Sequence, residues 1–174
     1  MKIIINSVDY PPYVNRPRNS NIFEGEKIVC PQRSQSNTFG YNNISWSASA
    51  DVYFITANEK SPYKLKILLG FLCSKTIYYW LYFRGKRKGN MLELYQTPVS
   101  EIPLPEIDKT VQTQIERLVN RIIKSGRNHN VELEIEELVA KAYGLTDKER
   151  KEVLKFYDAN HSENSEGIKV KKAA

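Results

Sequence analysis

One stretch limits what this chain can become. Residues 61–83 read SPYKLKILLGFLCSKTIYYWLYF, with Leu65, Leu68, Leu69, Leu72, Cys73 and Trp80 at helical spacing and Ile77 beside them. That period marks a helix whose apolar stripe faces a core. Ser61-Pro62 makes a good start: a capping hydroxyl, then proline at the first helical position, where no amide hydrogen is needed. Gly85 makes a good stop. The stretch therefore predicts one long buried helix ending near Phe83, and other elements must cover it.

Those elements stand on both sides. KIVC (27–30) and DVYFITA (51–57) are apolar, β-branched and aromatic runs that read as strands, and MLELYQT (91–97) reads as a third. Residues 9–26 and 31–43 read as loops. EIPLPE (101–106) is an extended exit stiffened by its prolines. VQTQIERLVNRIIKS (111–125) places Val111, Ile115, Leu118, Val119 and Ile122 on one helical face. RNHN breaks it, and VELEIEELVAKAYG (131–144) is a second helix, acidic on its outer face. Thr146, with Glu149 three places on, forms a capping box for a short third helix. The polar segment 161–174 has the composition of a disordered tail. The expected class is α+β: a small mixed or antiparallel sheet with a long buried helix, followed by a C-terminal helical appendage. The expected boundaries are a core over 1–105, an appendage over 106–158 and a tail over 159–174.

Charge separates the two parts. The chain carries a formal +6. Residues 1–105 hold 13 Lys/Arg against 7 Asp/Glu, which is the whole excess, while residues 106–174 hold 13 of each. A basic front half favours a polyanionic partner. The start, MKIIINSVDYPP, is too short and too soon interrupted for a signal peptide, and no run of about eighteen apolar residues is present to span a membrane. The expected compartment is the prokaryotic cytoplasm. Cys30 and Cys73 are isolated, with no Cys-x-x-Cys pair or histidine cluster, so no zinc or redox motif is indicated. Cys73 reads as a small buried hydrophobe.

Catalytic motifs are weak. DYPPY (9–13) resembles the Asn/Asp-Pro-Pro-Tyr/Phe centre of amino-group DNA methyltransferases, in which the acid or amide accepts from the target amino group and the aromatic stacks on the flipped base. Here Tyr10 stands before Pro11-Pro12, and a phenol has no carbonyl acceptor to offer. Asp9 is one place too early. Glu149-Arg150-Lys151 has nuclease-like spacing, but a nuclease needs further clustered carboxylates to hold a divalent ion, and a solvated helix face explains the triplet. His129 and His161 have no Ser or Cys placed as partner. The chain is expected to hold no catalytic centre, no metal and no cofactor of its own.

Binding candidates are sharper. RGKRKGN (84–90) puts Arg84, Lys86, Arg87 and Lys88 into five positions between two glycines that let a backbone approach a surface. Such a loop suits phosphate oxygens, and arginine can also reach the guanine edge in two places. A solvated turn after a helix, whose C-terminus favours cations, is the plainer explanation. PQRSQSNTFGYNN (31–43) is rich in Gln, Asn and Arg, the side chains that read base edges, with Phe39 and Tyr41 able to stack or pack.

The ordered string KIVCPQRS, FGYNN, DVYFI and YKLKILLGFLCSKTIYYWLYFRGKRKGNMLELYQTPVSEIPLP resembles the TaqI-like C-terminal specificity domain. That is the target-recognition domain of adenine-N6 DNA methyltransferases and fused type II restriction-modification enzymes. The resemblance covers about residues 22–157. The family's LL-x-LLNSK helix is matched from Leu68 to Lys75, with Cys73 in place of the usual Asn. Its proline exit is matched by Val99, Ile102, Pro103, Leu104 and Pro105, and its closing helices by Gln114 to Val119, Leu133 to Val139 and Tyr143 to Leu145. The resemblance implies sequence-specific recognition of double-stranded DNA, with a separate catalytic domain as partner and S-adenosylmethionine as that partner's cofactor. It turns two loops toward DNA: Gln32, Arg33, Ser34 and Asn37 in one, and Arg84, Lys86, Arg87, Lys88 and Asn90 in the other. Two rival readings are half of a type I specificity subunit, disfavoured by short and broken closing helices, and a protein-interaction module docking through helix 131–143.

Overall fold

The computed structural model describes residues 20–45, 48 and 51–161. The DYPPY segment and the tail beyond His161 lie outside the described residues. The architecture is α+β. A 3-10 turn (Ser20–Phe23) precedes β1 (Lys27–Pro31), β2 (Arg33–Ser34), β3 (Gly40–Asn42) and β4 (Val52–Ile55). Helices α1 (Leu65–Leu72) and α2 (Lys75–Arg84) lead to the hairpin β5 (Lys86–Lys88) and β6 (Met91–Glu93). Then come α3 (Gln96–Ser100), α4 (Lys109–Ser125), α5 (His129–Ala142) and α6 (Asp147–His161).

The strands form two antiparallel sheets rather than one. The first has the order β3-β1-β4 and the second β2-β6-β5. Consecutive strands feed both: β1 pairs with β3 and β4 as far as Pro31 opposite Val52, and the chain bends at Gln32 and passes into β2 opposite β6. Gln32 is the joint. Its amide donates to the Asp51 carbonyl at 2.6 Å, and its carbonyl accepts from the Leu94 amide at 2.8 Å. The segment expected to be a loop is therefore largely held by sheet pairing. Lys27 is wholly buried at the start of β1. Its ammonium donates to the carbonyls of Gly25 (2.8 Å) and Ile44 (2.7 Å), which supplies the partners a buried charge requires.

The expected long helix is two helices. Seven of the eight residues of α1 are buried, as befits a helix covered all round. It ends at Cys73, and Ser74 turns to extended geometry as the N-cap of α2. Three side chains hold this break. Ser74 Oγ accepts from the Ile77 amide (3.1 Å) and donates to the Phe71 carbonyl (2.7 Å). Asn37 Nδ2 donates to the carbonyls of Leu72 (2.6 Å) and Ser74 (2.8 Å). Glu136 of α5 accepts from the Lys75 amide (2.5 Å), the Thr76 amide (3.1 Å) and the Thr76 hydroxyl (2.6 Å). Amides and carbonyls at two helix ends are thus satisfied from side chains. Glu136 is buried, on the inner side of a helix whose other acids leave its outer face acidic.

The start also differs. Helix α1 begins after Lys64, three residues beyond Ser61. Ser61 Oγ accepts instead from the Asn58 amide (2.8 Å). Tyr63 is pinned in extended chain, its hydroxyl donating to the Pro105 carbonyl (2.6 Å) and accepting from the Ile107 amide (3.2 Å). Gly85 does end α2, but with φ −77° rather than a left-handed turn. A Cβ there would sit 2.6 Å from the Leu81 carbonyl oxygen, so close approach is what requires glycine.

One apolar core runs through the molecule. Ile28, Ile55, Leu65, Phe71, Leu72, Leu92 and Leu94 share it with Ile115, Val119, Ile135 and Val139 of the closing helices. Gly70 is the point of closest approach: a Cβ there would lie 2.6 Å from Ile115 Cγ2 and 3.3 Å from Val119 Cγ2. Asp108 caps α4 through the Val111 amide (2.9 Å). The Thr146–Glu149 capping box forms, the carboxylate accepting from the Thr146 amide (2.8 Å) and hydroxyl (2.6 Å). Helix α6 runs 15 residues, not a short turn.

Two stability outcomes follow from this packing. Gly70→Ala places a methyl group against buried β-branched neighbours, so urea unfolding will show a loss of about 1–3 kcal/mol despite alanine's better helix propensity. Glu136→Ala strips acceptors from buried donors and will cost about 2–4 kcal/mol. Burial raises the Glu136 pKa above its ordinary value, against the lowering by its donors. The folded form therefore binds its proton more tightly than the unfolded one, and this residue's contribution falls as pH rises from the ordinary carboxylate value through the raised one. The wild-type minus Glu136→Gln difference in unfolding free energy, measured from pH 4 to 7, will decline with pH over that window.

Candidate nucleic-acid interface

RGKRKGN is not a free loop. Lys86, Arg87 and Lys88 form β5 and pair with Glu93, Leu92 and Met91. Gly89 and Asn90 make the two-residue turn, with Gly89 at φ 60°, a conformation glycine adopts without penalty. On the other edge of β6, Arg33 stands opposite Glu93 and Ser34 opposite Leu92. Two segments some fifty residues apart thus become neighbours in one small sheet.

Strand alternation then sorts their side chains. Leu92 is buried, and Arg87 and Ser34 share its side of the sheet. Arg87 turns back to the protein, its guanidinium carbon 3.9 Å from the centre of the Tyr82 ring, a cation–π contact. Ser34 shares a hydrogen bond with Thr38 (2.7 Å). The opposite side carries Arg33, Lys86 and Lys88 with Met91, Glu93 and Tyr95. Arg33 Nε pairs with Glu93 Oε1 at 3.2 Å, and the Lys86 ammonium lies 5.7 Å from the centre of the Tyr95 ring. An exposed pair of this kind contributes about 0–1 kcal/mol, so it orients Arg33 more than it stabilises the fold. Arg84 and Asn90 are exposed at the two ends of the hairpin strand β5.

Eight of the nine residues singled out from the sequence therefore lie in or beside this sheet. Gln32 is half-buried at the joint and acts there through its backbone. Asn37 is the correction. It is buried, both its amide hydrogens go to the α1–α2 break, and its carbonyl accepts from Ser36 (3.1 Å). Both side-chain donors are thus used within the fold. Its polar neighbourhood in the sequence hid the fact that a helix break needs donors.

Asn37 instead borders a cavity of about 620 Å³ between the 36–41 segment and the closing helices, lined also by Tyr41, Cys73, Arg127 and Tyr157. Cys73 is exposed into it rather than buried in a helix as expected. Its thiol donates to the Phe39 carbonyl (3.5 Å), and the protein packed around it pushes its pKa up to about 12. The other cysteine, Cys30, is buried and likewise pushed up to about 12 by burial. The surroundings of both thiols disfavour the thiolate. His161 stacks on Tyr157 (3.9 Å between centroids). Among the described residues no group of three or more His, Cys, Asp or Glu is gathered in a way that could hold a metal ion, and no helix is long and apolar enough to cross a membrane.

The sequence model of the TaqI-like C-terminal specificity domain matches residues 7–104. This chain belongs to that family. Among curated relatives, the type II methyltransferase M.HincII of Haemophilus influenzae is 26% identical over 147 residues, which is 74% of this chain and 29% of the relative. The type II methyltransferase M.HindII from a strain of the same species is 25% identical over 137 residues, 70% of this chain and 26% of the relative. The chain thus spans less than a third of the length of these relatives. The family match includes the whole β2-β6-β5 sheet and ends just before the closing helices, whose side chains nonetheless complete its core.

Asn37→Ala separates scaffold from surface. It takes the Asn37 donor from the Leu72 carbonyl, and from the Ser74 carbonyl that also accepts from the Tyr78 amide, and will lower the unfolding free energy by about 1–3 kcal/mol, whereas Lys88→Ala at the exposed hairpin will stay within about 0.5 kcal/mol of wild type. Chemical denaturation of the two variants checks both.

Proposed function

We propose that this chain is a target-recognition module of a restriction-modification DNA methyltransferase, binding one face of double-stranded DNA and reading a short sequence. The catalytic work belongs to another body, in the same polypeptide or a companion chain, that methylates adenine N6 with S-adenosylmethionine. The reading is that of a protein of the prokaryotic cytoplasm. One observation carries it: pairing of β2 with the β5–β6 hairpin puts Arg33, Lys86 and Lys88 on a single exposed side, flanked by Arg84 and Asn90. Family membership and the methyltransferase relatives support the same partner. Phosphate contacts from such cations fix register, and hydrogen bonds to base edges then discriminate. Each well-made bidentate contact supplies about 1–3 kcal/mol of discrimination.

The electrostatic part has a measurable signature. With about five cations on phosphates, log affinity falls against log salt with a slope of roughly −4.5, a loss of several hundred-fold between about 50 and 200 mM. Replacing Arg33, Lys86 and Lys88 by glutamate will flatten that slope by roughly 2.7, since each neutralised phosphate accounts for about 0.9, and will weaken binding at low salt. Fluorescence anisotropy with a labelled duplex at both salts measures this. An unchanged slope in the triple variant would remove this face from the interface.

A further inference from the structure

Beside the hairpin lies an aromatic ledge that the duplex-binding face does not use. Phe83 is 56% exposed and Tyr79 38%, although both are large rings that ordinarily seek cover. They sit 4.8 Å apart between centroids, and Phe83 lies 5.1 Å from both Tyr82 and Phe156. Tyr79 is 5.1 Å from the same Phe156. Rings supported from behind in this way cannot fold back into the protein. A fixed, contiguous apolar surface open to water marks a contact site.

Charge decides what fits it. Between Glu59 and Glu93 the chain has no acidic residue and eight Lys/Arg. Arg84 follows Phe83 directly and is exposed, and Arg87 lies on Tyr82, the ring next to Phe83. Helix α6, which carries Phe156, also carries Glu152, Lys151 and Lys155 just before that ring and Asp158 two places after it, the last paired with Lys75 at 3.3 Å. Aromatic faces bordered by guanidinium groups match a base with an open π-face and the phosphates beside it. A base inside a duplex has both faces stacked and cannot be received. Arginines beside aromatic rings also occur at protein contacts, and the comparison of interrupted with perfect duplex below separates the two occupants.

We propose that the Tyr79–Phe83 ledge binds an unpaired nucleobase of a DNA strand, with Arg84 and Arg87 on the adjoining phosphates. This rests on the DNA-recognition reading above and adds to it a preference for locally opened DNA. The chain would grip a duplex through the outer side of the hairpin sheet and hold a displaced base on the ledge.

The test uses the full chain and three labelled probes: a perfect duplex, the same duplex with one unpaired nucleotide at its centre, and the single strand. Wild type will bind the interrupted duplex more tightly than the perfect one. Phe83→Ala and Tyr79→Ala will each weaken binding to the interrupted duplex and the single strand by about 5- to 150-fold, the range set by one base–aromatic stack. Both will leave the perfect duplex within about twofold. Phe83→Trp will retain binding, and its emission will be quenched by the stacked base. Phe83→Leu will lose binding, because it keeps an apolar surface but no π-face. Circular dichroism of the variants will match wild type, since the rings are exposed. Equal affinity for perfect and interrupted duplexes overturns the proposal, as does full binding by Phe83→Leu. If the interrupted duplex binds through Phe83 while the perfect duplex is not bound at all, the ledge stands and the duplex-recognition reading falls.

Discussion

The fold turns on a two-residue break at Cys73 and Ser74. A helix carried straight through would have projected α2 along the axis of α1 and taken the hairpin with it. Ending one helix and starting another leaves carbonyls and amides bare in the interior, each expensive to bury alone. Asn37 and Glu136 supply the missing partners from opposite sides, one from the segment after β2 and one from α5. The direction of α2, and with it the placement of β5 and β6, is therefore fixed by two buried polar side chains outside the helix itself. Three donors aimed at one carboxylate, at a helix start whose amides favour negative charge, offset part of the desolvation of Glu136.

The second constraint is the handover at Gln32. Because one residue joins β1 to β2 and its backbone bonds to both Asp51 and Leu94, the first sheet and the hairpin sheet are tied together. Burial of Leu92 then assigns sides: its row, with Arg87 and Ser34, faces the protein, and the alternate row faces out. Cationic content is thereby divided. Part is placed on open water, and Arg87 is tied to an aromatic ring behind the hairpin. The same tie makes the ledge on α2 and the hairpin a continuous surface.

Much of this was legible in the residues. KIVC and DVYFI are strands, the capping box at Thr146 forms, and α4 and α5 follow their apolar periods. The family string, carried by order and spacing, holds up against its own sequence model. What escaped has physical causes. The apolar period passes through Cys73 without a fault, so the break depends on acceptors and donors distant in sequence. Lys86, Arg87 and Lys88 are all exposed, so no alternation of polarity signals a strand. Ser61 looked like a cap, but its hydroxyl serves Asn58. Asn37 stands in a polar run that reads as a DNA-facing loop and Glu136 in an acidic helix, and only long-range hydrogen bonds show that both are buried. The basic residues of the candidate interface were visible individually. Their sharing of one sheet side was not, since it requires the register of Arg33 against Glu93 against Lys86.

Gly70 sets α1 directly against α4, with no room for even a methyl group between them. Contact that tight makes the last third of the chain a structural half of the middle helix, not a passenger. A polypeptide trimmed at the edge of the recognisable family segment would present water with the apolar face of α1 and a set of bare amides at the start of α2. Such a fragment would aggregate or melt before it met any partner. The practical unit for crystallography, grafting or swapping between enzymes therefore extends through α6.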